Sequence, residues 1–234
     1  MVIAHASELT GDDALAFVHA AALAAAGHAR LVTVHGNAPA SEVSRLPDAA
    51  ELVARWGRPI EHERRCHECC DDVADTVIDA MRELRPDLVV LGTHARHGLA
   101  AFVRGSISES IARNVDAPVL VVPNHARGFV DPATGAIDLQ RIVIAAGDDA
   151  AARRGREAAH QLLELSRCTG ATLELVHATH GSVEDAILDA ARAHDACVIV
   201  MPTRGHDGVG DVVLGSHTER VIREAACPVL AVPL

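Results

Sequence analysis

The densest group of reactive side chains in the chain is Cys-His-Glu-Cys-Cys at residues 66–70, which holds three of the six cysteines. Cys66 and Cys69 have the two-residue gap that suits a tetrahedral zinc, and His67 or Cys70 with one of His5, His35 or His62 completes a four-ligand set. The candidate metal ligands are therefore Cys66, His67, Cys69, Cys70, His5 and His35. Two other chemistries fit the same residues. A cysteine at the start of a helix has a lowered pKa, which makes Cys69 or Cys70 a candidate redox-sensitive thiol without any metal. Small buried cysteines are also ordinary core residues, the reading that suits Cys168, Cys197 and Cys227 in their apolar surroundings. A second concentration of chemistry is the glycine-bearing run from Gly92 through Ala95 and Arg96 to Gly105, Ser106 and Ser108. Backbone N–H groups at a helix start, reinforced by the helix dipole, hold anions, and glycine lets a phosphate approach the chain. The same Gly-Ser pair also reads as a simple helix cap.

Composition narrows the function classes. The 234 residues are 49% hydrophobic but only 2% aromatic, so the core is expected to be Ala, Val, Leu and Ile, as in helices layered on a parallel sheet. With a formal net charge of −11 and few stacking aromatics, the chain is poorly equipped to hold a phosphate backbone or unstacked bases, so nucleic acid is not expected as a partner. No stretch reaches the roughly 18–20 apolar residues of a membrane span, and the opening Met-Val-Ile-Ala-His-Ala has no basic leader before an apolar run, so no membrane contact and a cytoplasmic location are expected.

The elements that position these residues come in two copies. Residues 86–123 align without gaps on 196–233, and Thr93, Gly98, Gly105, Ser106, Glu109, Pro118 and Pro123 recur at a constant offset of 110. His35 matches His177 at an offset of 142, so the second copy lacks 142 − 110 = 32 residues. β-branched runs alternate with helical patterns. In the first copy strands are expected at 2–6, 30–35, 59–65, 87–92 and 118–122, with helices over 10–26, 47–56 and 70–84 and another from 106. In the second, strands are expected at 141–146, 172–177, 196–201 and 228–232. The deleted segment is the short helix and the strand after it. This alternation predicts an α/β chain of two tandem doubly wound, Rossmann-like parallel-sheet domains, the second truncated by about one helix and one strand. The expected boundaries are 1–123 and 141–234, with 124–140, rich in Pro and Gly and without a period, as linker.

The two loops, with Gly105-Ser106-Ile107-Ser108-Glu109-Ser110 and Gly215-Ser216-His217-Thr218-Glu219-Arg220 each followed by a helix and an apolar strand, resemble the universal stress protein family over essentially all of both copies except the linker. The resemblance implies a non-enzymatic stress-response protein. It also implies an ATP or other adenine-nucleotide site built on a loop of Gly, two residues, Gly, nine residues, Gly and then Ser or Thr. An Asp ending the first strand would recognise the adenosine. Against that pattern the first copy keeps Gly92, Gly105 and Ser106, has Ala95 at the middle glycine and His5 at the Asp, and offers Arg96 or Arg104 as counter-charge. The second copy has Pro202 at the first glycine and Gly147 at the Asp. Proline fixes φ and removes an N–H donor, so nucleotide binding is expected in the first copy. The alternative is a zinc or redox sensor using the His/Cys edge, favoured by His5 because a neutral imidazole is a good zinc ligand. The resemblance further implies an internal pseudo-dimer through the last strand of each copy, with a homo-dimer as a further possibility.

Overall fold

In a computed structural model of the chain, the described residues are 1–7, 9, 13–36, 39–68, 72–93, 107–177, 182–203 and 216–234, excluding the side chains of 40, 107–109, 113 and 216. The elements run β1 (Val2–Ala6), α1 (Ala14–Gly27), β2 (Arg30–Gly36), a 3-10 turn (Ala40–Arg45), α2 (Ala50–Trp56), β3 (His62–His67), α3 (Val73–Leu84), β4 (Leu88–Thr93), α4 (Ile107–Asn114) and β5 (Val119–Pro123). After a connecting segment come β6 (Arg141–Ala145), α5 (Asp149–Ser166), β7 (Thr172–Val176), α6 (Val183–Ala193), β8 (Val198–Thr203), α7 (Ser216–Glu224) and β9 (Val229–Pro233).

Among the described residues nine strands form one sheet in the order β3-β2-β1-β4-β5-β9-β8-β6-β7. Every neighbouring pair is parallel except β5 and β9, which meet antiparallel with Leu120 opposite Leu230. The sheet is thus a five-stranded half and a four-stranded half joined edge to edge about an approximate twofold at that seam. Fusing the halves there removes two apolar strand edges that would otherwise invite intermolecular pairing. Both faces are apolar, as a parallel sheet requires. Ala4, Val32, Val89 and Val121 face α3 and α4, whereas Ile3, Leu31, Val90 and Leu120 face α1 and α5.

Local signals set the helix ends. The Asp72 carboxylate accepts from the Ala74 N–H at 2.7 Å, and Asp148 accepts from the Ala151 N–H at 2.8 Å, which caps α3 and α5. α1 starts at Ala14, later than its apolar pattern, and residues 10–12 of the expected helix lie outside the described residues.

Two expectations change. Strand pairing sets Ile3 beside Leu88 and Ile142 beside Val198, so β1 and β6 are offset by 139 and Ile144, not Gly147, occupies the position of His5. Helices α1 and α5 keep that offset, closing on left-handed His28 and Arg167, so the three extra residues fall at 168–170, just before β7. Sequence alignment put them elsewhere because Ala-rich helices carry little register information. The connecting segment is also more than a patternless link. Phe129, Val130 and Leu139 are buried and Val130 bridges Ile137, so it forms a strap across α1.

The strap is seated on His19, a fully buried histidine in the alanine-rich α1. Its Nδ1–H donates to the Leu15 carbonyl at 2.7 Å, leaving Nε2 to accept the Phe129 N–H at 3.0 Å. The Phe129 ring meets the imidazole edge-on with centroids 4.5 Å apart. Gly128 is required here, since a Cβ would stand 2.4 Å from His19 Cε1. Further along, the Trp56 indole N–H donates to the Pro132 carbonyl at 3.2 Å, and Arg127 reaches Asp195 at 3.2 Å in the second half.

Candidate functional site

The candidate site is the region at the carboxyl ends of β1, β2 and β4, the end at which ligands bind in open parallel sheets. β1 delivers His5 and, just beyond its end, Ser7; β2 delivers Thr33 and His35; β4 delivers Gly92 and Thr93. The Ser7 hydroxyl donates to the Asp13 carboxylate at 2.6 Å, both groups being buried, and the His35 Nδ1–H donates to the Ser7 carbonyl at 2.7 Å. These bonds fix the β1–α1 corner. α4 begins at Ile107, just past the expected phosphate loop, so its N-terminus opens on that same connection.

His5 is fully enclosed, packed on the Phe17 ring at 5.4 Å, and among the described residues neither ring nitrogen has a hydrogen-bond partner. Burial, with a smaller contribution from His62, lowers its pKa to about 3, so it stays a neutral imidazole with one donor and one acceptor. His62 lies on the other side of Phe17, at 5.5 Å, and its orientation is fixed: Nδ1 accepts the Ala49 N–H at 3.2 Å and Nε2–H donates to Thr33 Oγ1 at 2.8 Å. Its pKa is also lowered, by burial first, against the opposing pull of Asp48. Ser7, Asp13, Phe17 and Thr33 did not stand out in the sequence; the one available signal was a Ser and an Asp flanking the turn between a strand and a helix.

Of the expected metal ligands, Cys66 and His67 end β3 as strand neighbours. Cys66 pairs in register with His35, and His67 pairs with Gly36. Successive strand residues point to opposite faces, so Cys66 lies on the α1 face while His67 lies on the α3 face, where Gly36 abuts Val77. Burial, then Glu42 and Glu68, raises the pKa of the Cys66 thiol in the metal-free chain. Among the described residues no three His, Cys, Asp or Glu side chains converge to hold a metal ion. Cys69 and Cys70 lie outside the described residues, as do Ala95, Arg96, Gly105 and Ser106; Ser108 is placed in α4 by its backbone alone.

The equivalent region of the second half has apolar groups at two of these positions. Gly92 and Pro202 hold the same register position, opposite Val122 and Val232. With Ile144 in place of His5, both apolar side chains close on Gly155 of α5, where a Cβ would stand 2.4 Å from Ile144 Cγ2 and 3.2 Å from Pro202 Cγ. Gly155→Ala adds about 1 kcal/mol of helix propensity but overpacks this contact by about 1–3 kcal/mol. The substitution is therefore expected to lower the urea midpoint. A midpoint raised by Gly155→Ala alone would contradict the packing.

Among the described residues no helix is long and apolar enough to cross a membrane. A sequence model described as the universal stress protein family matches residues 7–123 and 143–233. A curated universal stress protein of Thermus aquaticus, from the QAH/OAS sulfhydrylase 3′ region, is 40% identical over 85 residues, and the match spans 36% of this chain and 62% of that relative's length. Among solved structures, a functionally unknown protein from Pseudomonas aeruginosa PAO1 is similar with a TM-score of 0.69 at 16% identity, covering 99% of this chain and 92% of that one. A universal stress protein from Archaeoglobus fulgidus DSM 4304 is similar with a TM-score of 0.65 at 16% identity, covering 99% of this chain and 98% of that one. Apart from β1 and the start of β6, the two matched segments take in the two fused halves of the sheet, and the chain belongs to the universal stress protein family.

Proposed function

We propose that this chain is a non-enzymatic, cytoplasmic stress-response protein in which residues 1–123 hold ATP or another adenine nucleotide and residues 141–234 form a truncated partner domain. Residues 124–140 join the two. The proposed contacts are Gly92, Ala95, Arg96, Gly105, Ser106 and Ser108 around the phosphates, with His5 beneath the base and sugar. The supporting observation is the asymmetry between the halves: a glycine and an uncharged polar imidazole occupy positions that the second half fills with Pro202 and Ile144 against Gly155. Backbone N–H groups at a helix start attract phosphate, and the first half keeps a glycine where the second has lost both donor and space. The zinc or redox alternative is not taken further, because among the described residues no three potential ligands come together.

Titration calorimetry with ATP on the full chain tests the assignment. Gly105→Val, which blocks the proposed phosphate seat, is expected to abolish the binding heat, and Gly215→Val is expected to leave it unchanged. Equal losses in the two variants, or none in either, would sink the assignment to the first half.

A further inference from the structure

The truncation of the second half removes the strand that would flank β7. β2 of the first half and β7 of the second hold the same position, since Ile3 pairs with Leu31 and Ile142 with Leu173. The outer edge of β2 is taken by β3, and the Leu31 N–H donates to the Glu61 carbonyl at 2.8 Å. Among the described residues no strand takes the outer edge of β7. The Thr172 N–H and the Val176 carbonyl are bonded inward, to Gln140 and Ala146, so the alternate residues Leu173 and Leu175 aim their N–H and C=O groups away from the sheet. The side chains differ in the same way. Leu31 and Thr33 are fully buried, whereas their counterparts Leu173 and Leu175 are half-buried on the α5 side. The edge of the first half, β3, is blunted, because the 3-10 turn packs on it and it carries Glu63, Arg64 and Arg65. β7 has one charged residue, Glu174, and no proline.

We infer that β7 is the interface of a symmetric dimer, in which two copies of this chain join their sheets antiparallel through this edge. A second copy fits the edge in three respects. The chain already seals two parallel half-sheets by one antiparallel pair, β5 with β9, and a twofold at β7 repeats that contact between chains. The edge is also self-complementary. With Leu173 opposite the partner's Leu173, Leu175 meets the partner's Ala171 on the apolar side and Glu174 meets the partner's Thr172 on the other, so no like charges face each other. The helix layer fits as well. α6 lies over β6 and β7, so the two copies of α6 would stand two strand spacings, roughly 10 Å, apart across the seam, an ordinary helix-packing distance. Glu184 and Asp185 engage His217 and Arg220 of α7, so the opposite side of α6, toward the seam, carries Ala186, Ala190 and Ala193, which are small enough for close approach.

Sedimentation velocity of the full chain over a dilution series is expected to show a reversible equilibrium between monomer and a dimer of twice the 24.6 kDa chain mass. Leu173→Pro removes the outward N–H but no intrachain backbone bond, and an edge strand tolerates proline at such a position, so this variant is expected to fold and to stay monomeric. Thr172 is exposed, so substitutions there leave the fold intact. Thr172→Glu sets two like-charge pairs against Glu174 across the seam and is expected to weaken dimerisation about three- to tenfold, whereas Thr172→Lys is expected to strengthen it by a similar factor. These opposite signs carry the test alone should Leu173→Pro lower the thermal midpoint. Amide exchange at Leu173 and Leu175 is expected to slow as the chain is concentrated. A dimer that both Thr172 variants shift in the same direction or leave unchanged, or one in which those two amides exchange as fast as in the monomer, overturns the proposal. A chain that stays monomeric when concentrated also overturns it, because the edge is then left to a strand of another protein.

Discussion

Phe129→Ala is expected to lower the unfolding free energy by about 3 kcal/mol or more, the usual cost of deleting a buried aromatic ring from a core. The ring is 4% exposed and lies edge-on to His19, whose Nε2 accepts the Phe129 N–H, so its removal leaves a void over a buried imidazole. A loss of that size is a large part of the roughly 5–15 kcal/mol that holds a domain folded. Because the strap also ties Arg127 to Asp195 and Trp56 to Pro132, loosening it should reduce the cooperativity between the halves. Urea denaturation followed by circular dichroism would show the midpoint shift, and Trp56 fluorescence would report release of the strap tip. A loss below about 1 kcal/mol would mean that the strap is peripheral to the core.

Acidification is expected to destabilise the protein well above the range in which carboxylates titrate. In the folded chain burial holds the pKa of His5 at about 3 and that of His19 at about 4, the latter against the raising effect of the Leu15 carbonyl. In the unfolded chain both return to the ordinary value of 6.5. Their folded pKa values are depressed, so the stability is fully present above pH 6.5 and is lost as pH falls toward 4, because the unfolded chain takes up protons that the folded one refuses. Each group removes about 1.4 kcal/mol per pH unit in that window, together about 4 kcal/mol by pH 5. His62 acts in the same direction. Urea midpoints measured from pH 7.5 to 5 should fall steeply below 6.5, and His5→Leu should flatten the fall by removing one titrating group. Stability that is level between pH 7 and 5 would refute the neutral, enclosed state of both imidazoles.

Much of this architecture follows from local sequence signals. Alternating β-branched runs and helical patterns specify parallel strands with helices on both faces, since each period buries one face of its element. The 32-residue difference between copies removes one strand, and the sheet accordingly has five strands on one side of the seam and four on the other. Pro202, read in the sequence as the loss of an N–H donor, stands at the register position of Gly92. That Cys66 and His67 face opposite sides of the sheet follows from the alternation of a strand, but only once the strand is known to extend through both residues.

Tertiary structure decided the rest. Ile144 replaces His5 because hydrogen-bonded pairing of β6 with β8 fixes the register, information that a run of alanines does not carry. Asp13 and Ser7 meet only because a turn folds α1 back over β1. Phe129, Val130 and Leu139 show no helical or strand period, so nothing local marks them as core. They are buried because His19, 110 positions away from Phe129, offers an acceptor and a ring edge on the surface of α1. Periodic burial is encoded within each segment, whereas the burial of an irregular segment depends on a partner that only the folded chain brings into contact.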